Sequence, residues 1–381
     1  MNADAPAVRA VLSAALDAVG MPTASAGRTS AQDRDELGLP EVPKVCLVLL
    51  DGLGRRMIEE RGGHAPFLRS RLPDALTLRS TFPSTTASAI TAVGTGELPG
   101  ATGMLGYSLR DPVHGGPLNL ISWEDTDLDP RQWQRCPTLP EQLRARDDAH
   151  DLPDVVSVGP ARFVGSGLTQ CALRGMRNVT AESLPARVDA AAAQLRREDV
   201  GLVYLYWGEI DHLGHKHGWR SWQWGEEVSA TDGELARLAR LLPAGTLLLV
   251  TADHGMLDVE RRTDVAAVPA LARDVTLVAG EGRAAHVYTA AGAAADVAAR
   301  WREVLGERAW VAERDEIVAA GLLGAVTDRA DAAGDLVVTM RGRDVVVDSR
   351  TQPPGMVGLV GVHGGLTEEE TSVPLVREVV G

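Results

Sequence analysis

The sequence predicts an α/β fold of three layers, in which a largely parallel sheet lies between helices and a smaller α+β cap is inserted. Four short runs rich in Val and Leu predict strands that are buried on both faces. Helical patterns separate these runs, and strands that alternate with helices are typical of a parallel sheet. After residue 255 the pattern changes, because the following stretch carries a strand and helix alternation of its own, which indicates the insertion.

These elements divide the chain into three parts. In the N-terminal part, 1–43, apolar residues at helical spacing over 6–19 predict an amphipathic helix, and residues 20–43, rich in Gly, Pro, Ser and Asp, predict a connector. The catalytic α/β core is predicted in 44–256 and 356–381, and the inserted cap subdomain in 257–355. The predicted core strands are 44–50, 154–159, 200–207 and 245–252, and the clearest helices are 184–198 and 227–242.

Length and composition describe an ordinary globular protein. The 381 residues are 45% hydrophobic and 24% charged, so the chain can bury a substantial core. A formal charge of −14 argues against a broad surface for duplex nucleic acid, although one focused site could hold a small anion. The N-terminus lacks a signal-peptide pattern, no stretch is apolar enough to span a membrane, and the three cysteines are scattered. We therefore expect a cytoplasmic protein without a membrane partner, of unknown oligomeric state.

Carboxylate and imidazole side chains follow three of the predicted strands and recur near the C-terminus. In open α/β sheets, functional groups gather beyond the C-terminal ends of the strands. A single Asp there is more often a turn or cap residue, and a lone His is usually structural, but several that converge suit Zn²⁺ or Mn²⁺. The six candidates are Asp51, Asp211, His215, Asp253, His254 and His363, with His217 as a rival to His215.

The segment 80–107 carries a candidate nucleophile. Pro83 and Ser84 precede Thr85 and Thr86, and apolar residues at helical spacing follow. Thr86 is therefore predicted in the first turn of a helix, where free N–H groups and the helix dipole favour a phosphoryl group and an alkoxide. Metal coordination is one of the few ways to activate a Thr hydroxyl near neutral pH. An isolated segment of this kind would more often be a plain helix cap.

Taken together and in this order, the fragments resemble the alkaline phosphatase superfamily, and within it the nucleotide pyrophosphatases/phosphodiesterases. The nucleophile of that branch lies nine residues before the Thr of a Thr-Gly pair, and Thr86 precedes Thr95 and Gly96 by that interval. The segments DHLGH, ADHGM and HGG are similar to the metal-binding motifs of the family. The resemblance extends from residue 44 to 366 and implies an alkaline-phosphatase-like three-layer αβα sandwich.

The resemblance also implies the roles of individual residues. Thr86 would be the nucleophile, beside two divalent metal ions, Zn or Mn. One ion would be held by Asp211, His215 and His363, and the other by Asp51, Asp253 and His254. Tyr107 stands where the nucleotide-cleaving branch usually has an Asn that donates to a phosphoryl oxygen. A phenol can donate as well, and a packing role for Tyr107 is the alternative.

Three aromatic residues are candidates for substrate binding. Besides Tyr107, Trp222 belongs to a cluster with Trp219 and Trp224 directly after a metal motif, and Trp123 could line the same pocket. Tryptophans can stack on a nucleobase, but packing of a surface helix on the insertion is the favoured explanation of the cluster. Compact chains of this branch without a signal peptide resemble bacterial cytosolic phosphodiesterases that degrade cyclic di-AMP, which makes a cyclic dinucleotide the leading specific hypothesis.

The sequence thus predicts a two-metal phosphodiesterase that hydrolyses a nucleotide-type phosphodiester through a phosphothreonine intermediate, with a small nucleotide as its partner. A phosphomonoesterase or a phosphonate hydrolase would use the same side chains. A sulfatase is disfavoured because Thr86 occupies the position of the nucleophile. A protein that senses a nucleotide without turnover is a further alternative, and the nucleophile together with a complete ligand set counts against it.

Overall fold

The central feature of the fold is a sheet of seven strands, seen in a computed structural model that describes residues 5–381. The strands are β1 (Lys44–Leu50), β2 (Leu76–Arg79), β3 (Asp154–Gly159), β4 (Arg177–Thr180), β5 (Val200–Trp207), β6 (Thr246–Thr251) and β7 (Ser372–Val379). Their order across the sheet is β2-β7-β6-β1-β5-β3-β4. Strands β6, β1, β5, β3 and β4 run parallel, whereas β7 is antiparallel to both β6 and β2. The predicted α/β fold with a largely parallel sheet is confirmed.

Helices pack on this sheet, whose middle strands are buried along most of their length. Every residue of β1 after Lys44 is buried, which requires packing on both faces. Helix Leu184–Leu195 packs on β5 and on helix Trp222–Leu241. Helix Ala10–Ala18, in which every residue except Asp17 is buried, contacts β1 and the helix that begins at Thr86.

Predicted and observed core elements differ mainly at helix ends. The strands predicted at 44–50, 154–159 and 200–207 have the predicted bounds, and the fourth covers Thr246–Thr251. The helix predicted from 227 begins earlier, at Trp222, because the side chain of Ser221 accepts a hydrogen bond from the backbone N–H of Trp224 and caps it.

The predicted connector contains regular structure. A short strand pair lies within 24–29, and a helix covers Ser30–Leu37. Thr29 and Gln32 form a reciprocal capping box at its start, and Gly38 ends it with a left-handed φ of 58°. Local capping therefore forms a helix in a segment whose hydrophobic pattern is weak.

A second sheet of four antiparallel strands lies within residues 275–340. Its strand order is Val275–Glu281, Ala284–Thr289, Leu336–Met340 and Ala309–Glu313. Helices Ala294–Leu305 and Arg314–Ala319 belong to the same region. A fully buried ion pair between Arg283 and Glu370, with 2.9 Å between nitrogen and oxygen, ties this sheet to the segment before β7. The cap boundaries, 257–355, stay a prediction.

Short elements fill the connections between these larger ones. The helices are Arg55–Arg61, Pro66–Arg71, Thr86–Thr95, Pro99–Thr102, Pro130–Trp133, Leu139–Arg144, Gly167–Ala172, Glu209–His217, Pro269–Ala272, Pro354–Val357 and Glu368–Thr371. The small strand pairs are Ser108–Arg110 with Pro117–Asn119, Leu257–Asp258 with Gly361–Val362, and Arg261–Asp264 with Asp344–Val347. Within residues 5–381, no helix is both long enough and apolar enough to cross a bilayer.

Candidate active site

The C-terminal ends of three adjacent parallel strands bring most of the predicted metal ligands together. Asp51 directly follows β1, and Asp253 and His254 lie just after β6. Asp211 and His215 lie one turn apart on the helix after β5. Since β6, β1 and β5 are neighbours in the sheet, these side chains meet at one edge.

His363 joins this cluster from a loop near the C-terminus. Its ring stacks on that of His254, with 3.6 Å between the ring centroids. Its Nε2 lies 3.3 Å from Nε2 of His215. Sequence analysis left His217 as a rival to His215, and the structure brings His215 into the cluster.

Two groups of three side chains could each hold a metal ion. The members are Asp211, His215 and His363 in one group and Asp51, Asp211 and His254 in the other, with the ligand atoms of each group within 4.8 Å of one another. Asp211 therefore belongs to both groups. Asp253, which the sequence assigned to the second group, lies beside it, with its Oδ2 3.5 Å from Nε2 of His254. Its Oδ1 accepts hydrogen bonds from the backbone N–H groups of Gly52 and His254.

Each of the three histidines has the same polar contact on its outer side. Nδ1 faces a backbone carbonyl oxygen, and because a carbonyl can only accept, Nδ1 carries the hydrogen in the neutral ring. The acceptors are Gly361 for His215, Gly255 for His254 and Ser84 for His363, at 2.8, 3.0 and 2.9 Å. Nε2 of each ring is then available for a metal ion, in the manner usual for histidine ligands.

Two carboxylate oxygens of the cluster have no hydrogen-bond partner among the described residues. They are Oδ1 of Asp211 and Oδ2 of Asp253, and both are buried. A buried carboxylate oxygen is costly unless a cation or a hydrogen bond compensates it. Carboxylate oxygens and imidazole nitrogens are also the donors that suit Zn²⁺ or Mn²⁺. The residues therefore fit divalent metal ions.

Burial and the neighbouring charged groups shift the pKa values of these carboxyl groups. Burial, reinforced by the charges of Asp253 and Asp211, raises the pKa of Asp51 well above its ordinary value. Burial also raises the pKa of Asp253. Burial acts in the same direction on Asp211, but attraction to His215, a hydrogen bond with it, and attraction to His363 and His254 together outweigh burial and lower the pKa of Asp211. Divalent cations would relieve this repulsion.

Thr86 is the first residue of helix Thr86–Thr95 and is directed at the cluster. Its Oγ1 lies 3.1 Å from Nε2 of His254 and 3.4 Å from Oδ1 of Asp51. Thr85 at the N-cap makes no side-chain capping bond, so the N–H groups of the first turn have no side-chain cap. A helix start of this kind can bind phosphoryl oxygens.

A cavity of about 610 Å³ opens beside Thr86. Its lining includes Asp51, Thr86, Asp211, Arg162 and Phe163. The ring of Phe163 packs edge-to-face on Tyr206, with 5.8 Å between centroids. Phe163 is not apparent from the sequence, because it lies in the short 3-10 helix Ala161–Phe163 after β3, a segment that carries no motif.

A second cavity, of about 240 Å³, adjoins the other side of the cluster and contains Tyr107 in its lining together with His215 and His363. The Tyr107 hydroxyl accepts a hydrogen bond from Nδ2 of Asn119 at 2.7 Å. Burial raises the pKa of Tyr107. The phenol is therefore protonated near neutral pH, in a residue that lines the same cavity as two histidines of the cluster.

The two tryptophans predicted to bind substrate line neither of these cavities. Trp123 is 9% exposed, and its ring packs on Trp133 with 6.0 Å between centroids. Trp222 is 66% exposed, whereas its neighbours Trp219 and Trp224 are buried and pack on each other. These positions favour the packing interpretation of the tryptophan cluster.

Comparison with known proteins identifies similar sequences and folds. The profile of the family described as type I phosphodiesterase / nucleotide pyrophosphatase matches residues 45–366. Human ectonucleotide pyrophosphatase/phosphodiesterase family member 7 is 35% identical over 82 residues, which are 20% of this chain and 18% of the human protein. The matched segment thus spans about a fifth of that relative's length.

Two groups of solved structures share the fold. Murine ectonucleotide pyrophosphatase / phosphodiesterase 5 superposes with a TM-score of 0.68 at 17% identity, covering 87% of each chain. An inactive variant of it, in complex with AMP, gives 0.67. Phosphonoacetate hydrolase from Sinorhizobium meliloti 1021, in complex with phosphonoformate, gives 0.66 at 20% identity, covering 88% of this chain and 89% of that one. Because the family profile extends over most of the sequence, the chain belongs to the type I phosphodiesterase / nucleotide pyrophosphatase family.

Proposed function

We propose that this protein is a two-metal phosphodiesterase that hydrolyses a nucleotide-type phosphodiester with Thr86 as its nucleophile. The observation that carries the proposal is the position of the Thr86 hydroxyl, within 3.4 Å of both His254 and Asp51 and at the wall of a large cavity. The volume of about 610 Å³ is within the range of small-molecule pockets and suits a nucleotide.

The ligand groups support two ions, Zn²⁺ or Mn²⁺. The proposed sets are Asp211, His215 and His363 for one ion and Asp51, Asp253 and His254 for the other. Asp211 is close enough to serve either group. When bound, such ions stabilise negative charge on the attacking and leaving oxygens and make a Thr hydroxyl more acidic.

Residues of the chain would then take part in two successive in-line displacements at phosphorus. The Thr86 oxygen forms a bond to phosphorus while the bond to the leaving oxygen breaks, which gives a phosphothreonine that carries the retained nucleotidyl group. Water hydrolyses this phosphoester in the second step and restores the hydroxyl. N–H groups at the start of helix Thr86–Thr95 donate to the phosphoryl oxygens. The Tyr206 hydroxyl donates to Asp51 and holds that carboxylate in place.

Tyr107 is proposed as a further donor to the phosphoryl group. Its oxygen already accepts from Asn119, so its own hydrogen remains to be donated. Its place in a cavity lined by His215 and His363 supports this role.

The leading substrate is cyclic di-AMP or a related dinucleotide, hydrolysed in the cytoplasm. The size of the cavity and the aromatic ring of Phe163 support a nucleotide, since bases stack on aromatic side chains. Phosphonate hydrolysis is the second candidate, because one fold neighbour is a phosphonoacetate hydrolase. The cavity is much larger than phosphonoacetate, which favours the diester.

A substrate panel tests the proposal. The protein, loaded with Zn²⁺ or with Mn²⁺, is assayed on bis-p-nitrophenyl phosphate, p-nitrophenyl phosphate, phosphonoacetate and cyclic di-AMP. We expect higher kcat/KM for the diesters, and a loss of all turnover in Thr86→Ala but not in Thr85→Ala, which removes the neighbouring hydroxyl that makes no capping hydrogen bond to the helix. Wild-type rates in Thr86→Ala would exclude the mechanism, and a preference for phosphonoacetate would select the second candidate.

A further inference from the structure

The metal-ligand cluster borders two separate cavities. The larger, reaction-side cavity includes Thr86 and Asp51 in its lining, and the smaller one of about 240 Å³ includes His215 and His363. The two sets of lining residues have no member in common. A ligand whose phosphate binds at the cluster can therefore extend in two directions.

In an in-line displacement, the two cavities beside the cluster would hold different parts of the substrate. The attacking and leaving oxygens lie on opposite sides of phosphorus. Thr86 is in contact with Asp51 and His254, so it attacks from their side of the cluster. If the proposed function is correct, the leaving oxygen departs on the side of His215 and His363, where the smaller cavity begins.

The walls of the smaller cavity are mainly apolar. The apolar lining residues are Val345, Val347, Met356, Val357, Leu359 and Val362. Its charged lining residues are Arg262, which already donates to the carbonyl oxygen of Leu359 at 2.5 Å, and Glu281. The Arg262 guanidinium already has a hydrogen-bond acceptor, and the Glu281 carboxylate can balance its charge. The cavity therefore has no excess of positive charge for a polyanion such as pyrophosphate.

Polar groups of this cavity match the edge of a nucleobase or a ribose. The carboxyl group of Glu281 is buried beside the Thr85 hydroxyl, and a carboxylate oxygen has more than one lone pair, so it can also accept from an amino or hydroxyl group of a ligand. Oε1 of Gln352 accepts from the backbone N–H of Asp348, which leaves the amide nitrogen as a donor for a ligand. Apolar walls with a few such groups are typical of a heterocycle site.

We propose that the smaller cavity is the subsite of the leaving group and that it takes a neutral nucleoside. The substrate then carries a nucleoside on each side of the scissile phosphate, and a leaving pyrophosphate is disfavoured. This inference deepens the proposed function and rests on it.

A substitution that fills the smaller cavity tests whether this cavity binds the leaving group. Met356→Trp places a large ring in the wall of the smaller cavity, and Val360→Trp is the matched control, because Val360 follows the same short helix, is 40% exposed and lines neither cavity. The holoenzyme is assayed on the dinucleoside monophosphate ApA, on the methyl ester of AMP, and on ATP. The methyl ester presents the same phosphate chemistry with a leaving group too small to need the cavity.

We expect Met356→Trp to lower kcat/KM for ApA by about tenfold or more, while the methyl ester changes less than about twofold and Val360→Trp alters neither. Wild-type kcat/KM should be about tenfold lower for ATP than for ApA.

Unchanged ApA turnover in Met356→Trp, or an equal loss on both diesters in a folded protein, would overturn the inference. Val357→Phe in the same wall repeats the test if Met356→Trp unfolds. Failure of the wild type on both diesters would instead reject the proposed function.

Discussion

The hydroxyl oxygen of Thr86 lies 3.1 Å from Nε2 of His254. Nδ1 of the same ring faces the carbonyl oxygen of Gly255 at 3.0 Å, so Nε2 is the nitrogen without hydrogen in the neutral ring. A candidate nucleophile and an available metal ligand thus approach each other closely in a buried place. A cation bound to His254 would lie near the Thr86 oxygen.

His215→Ala should reduce bound metal, whereas His217→Ala should not. His215 is in the cluster, with Nε2 3.2 Å from Oδ2 of Asp211, and both histidines lie on the same helix. Removing one of three ligands lowers metal affinity by a large factor and activity with it. Metal content after dialysis, measured by elemental analysis, checks this prediction. Loss of metal in His217→Ala with retention in His215→Ala would assign the ligand to the other histidine.

Asp51→Asn should stabilise the metal-free protein at neutral pH. The folded-state pKa of Asp51 is raised above that of the unfolded chain, so the folded state binds its proton more tightly. Its contribution to the free energy of unfolding is therefore full below about pH 4 and falls as pH rises toward the folded-state pKa. Asn has no charge to bury and avoids this loss.

Melting temperatures measured with a chelator across pH test the sign of this effect. The advantage of Asp51→Asn over the wild type should shrink as pH falls from about 7 to about 4. With metal added the order should reverse, because binding stabilises only the folded wild type fully. Asp147→Asn, at an exposed position, is the control and should match the wild type throughout. A pH-independent gain in Asp51→Asn would contradict the explanation.

Phe163→Ala should weaken nucleotide binding, and Trp222→Ala should not. Phe163 lines the cavity beside Thr86, and stacking on a base contributes about 1 to 3 kcal/mol. Trp222 is largely exposed and lines neither cavity. Measuring KM for a dinucleotide in both variants shows which of the two rings contributes to nucleotide binding. An effect confined to Trp222→Ala would restore the interpretation drawn from sequence.

Tyr107→Phe should lower kcat for diesters by about tenfold while leaving metal content unchanged, since it removes one hydrogen bond to the phosphoryl group. The phenol adjoins His215 and His363 without belonging to either ligand group. Steady-state kinetics and metal analysis of the same preparation check both parts. Unchanged kcat would leave Tyr107 with a packing role.

Much of the fold and the clustered ligands could be predicted because they follow simple patterns. Strands such as Lys44–Leu50 are uninterrupted apolar runs, and the groups that follow them must meet where parallel strands end. The helix Ser30–Leu37 escaped prediction because its capping box, not a hydrophobic stripe, defines it. The residues of a capping box can be recognised in a sequence. In contrast, the finding that Asp211 belongs to both groups of possible metal ligands depends on distances in the folded chain.

Substrate-binding residues were harder to predict than the ligands. Clustered tryptophans in a sequence suggest a site for base stacking. In the structure, however, Trp219 and Trp224 are buried in the core and Trp123 packs on Trp133. Phe163 lies in a loop whose position depends on β3 and its neighbours, so no local pattern identifies it.

The stereochemical course of hydrolysis at phosphorus shows whether Thr86 or water attacks the substrate. A dinucleoside phosphorothioate of defined configuration is hydrolysed in isotopically labelled water, and the configuration of the product is determined. Attack by Thr86 followed by hydrolysis of the phosphothreonine comprises two inversions, so the account predicts net retention. Net inversion would show that water attacks the substrate directly, and would contradict a nucleophilic role for Thr86.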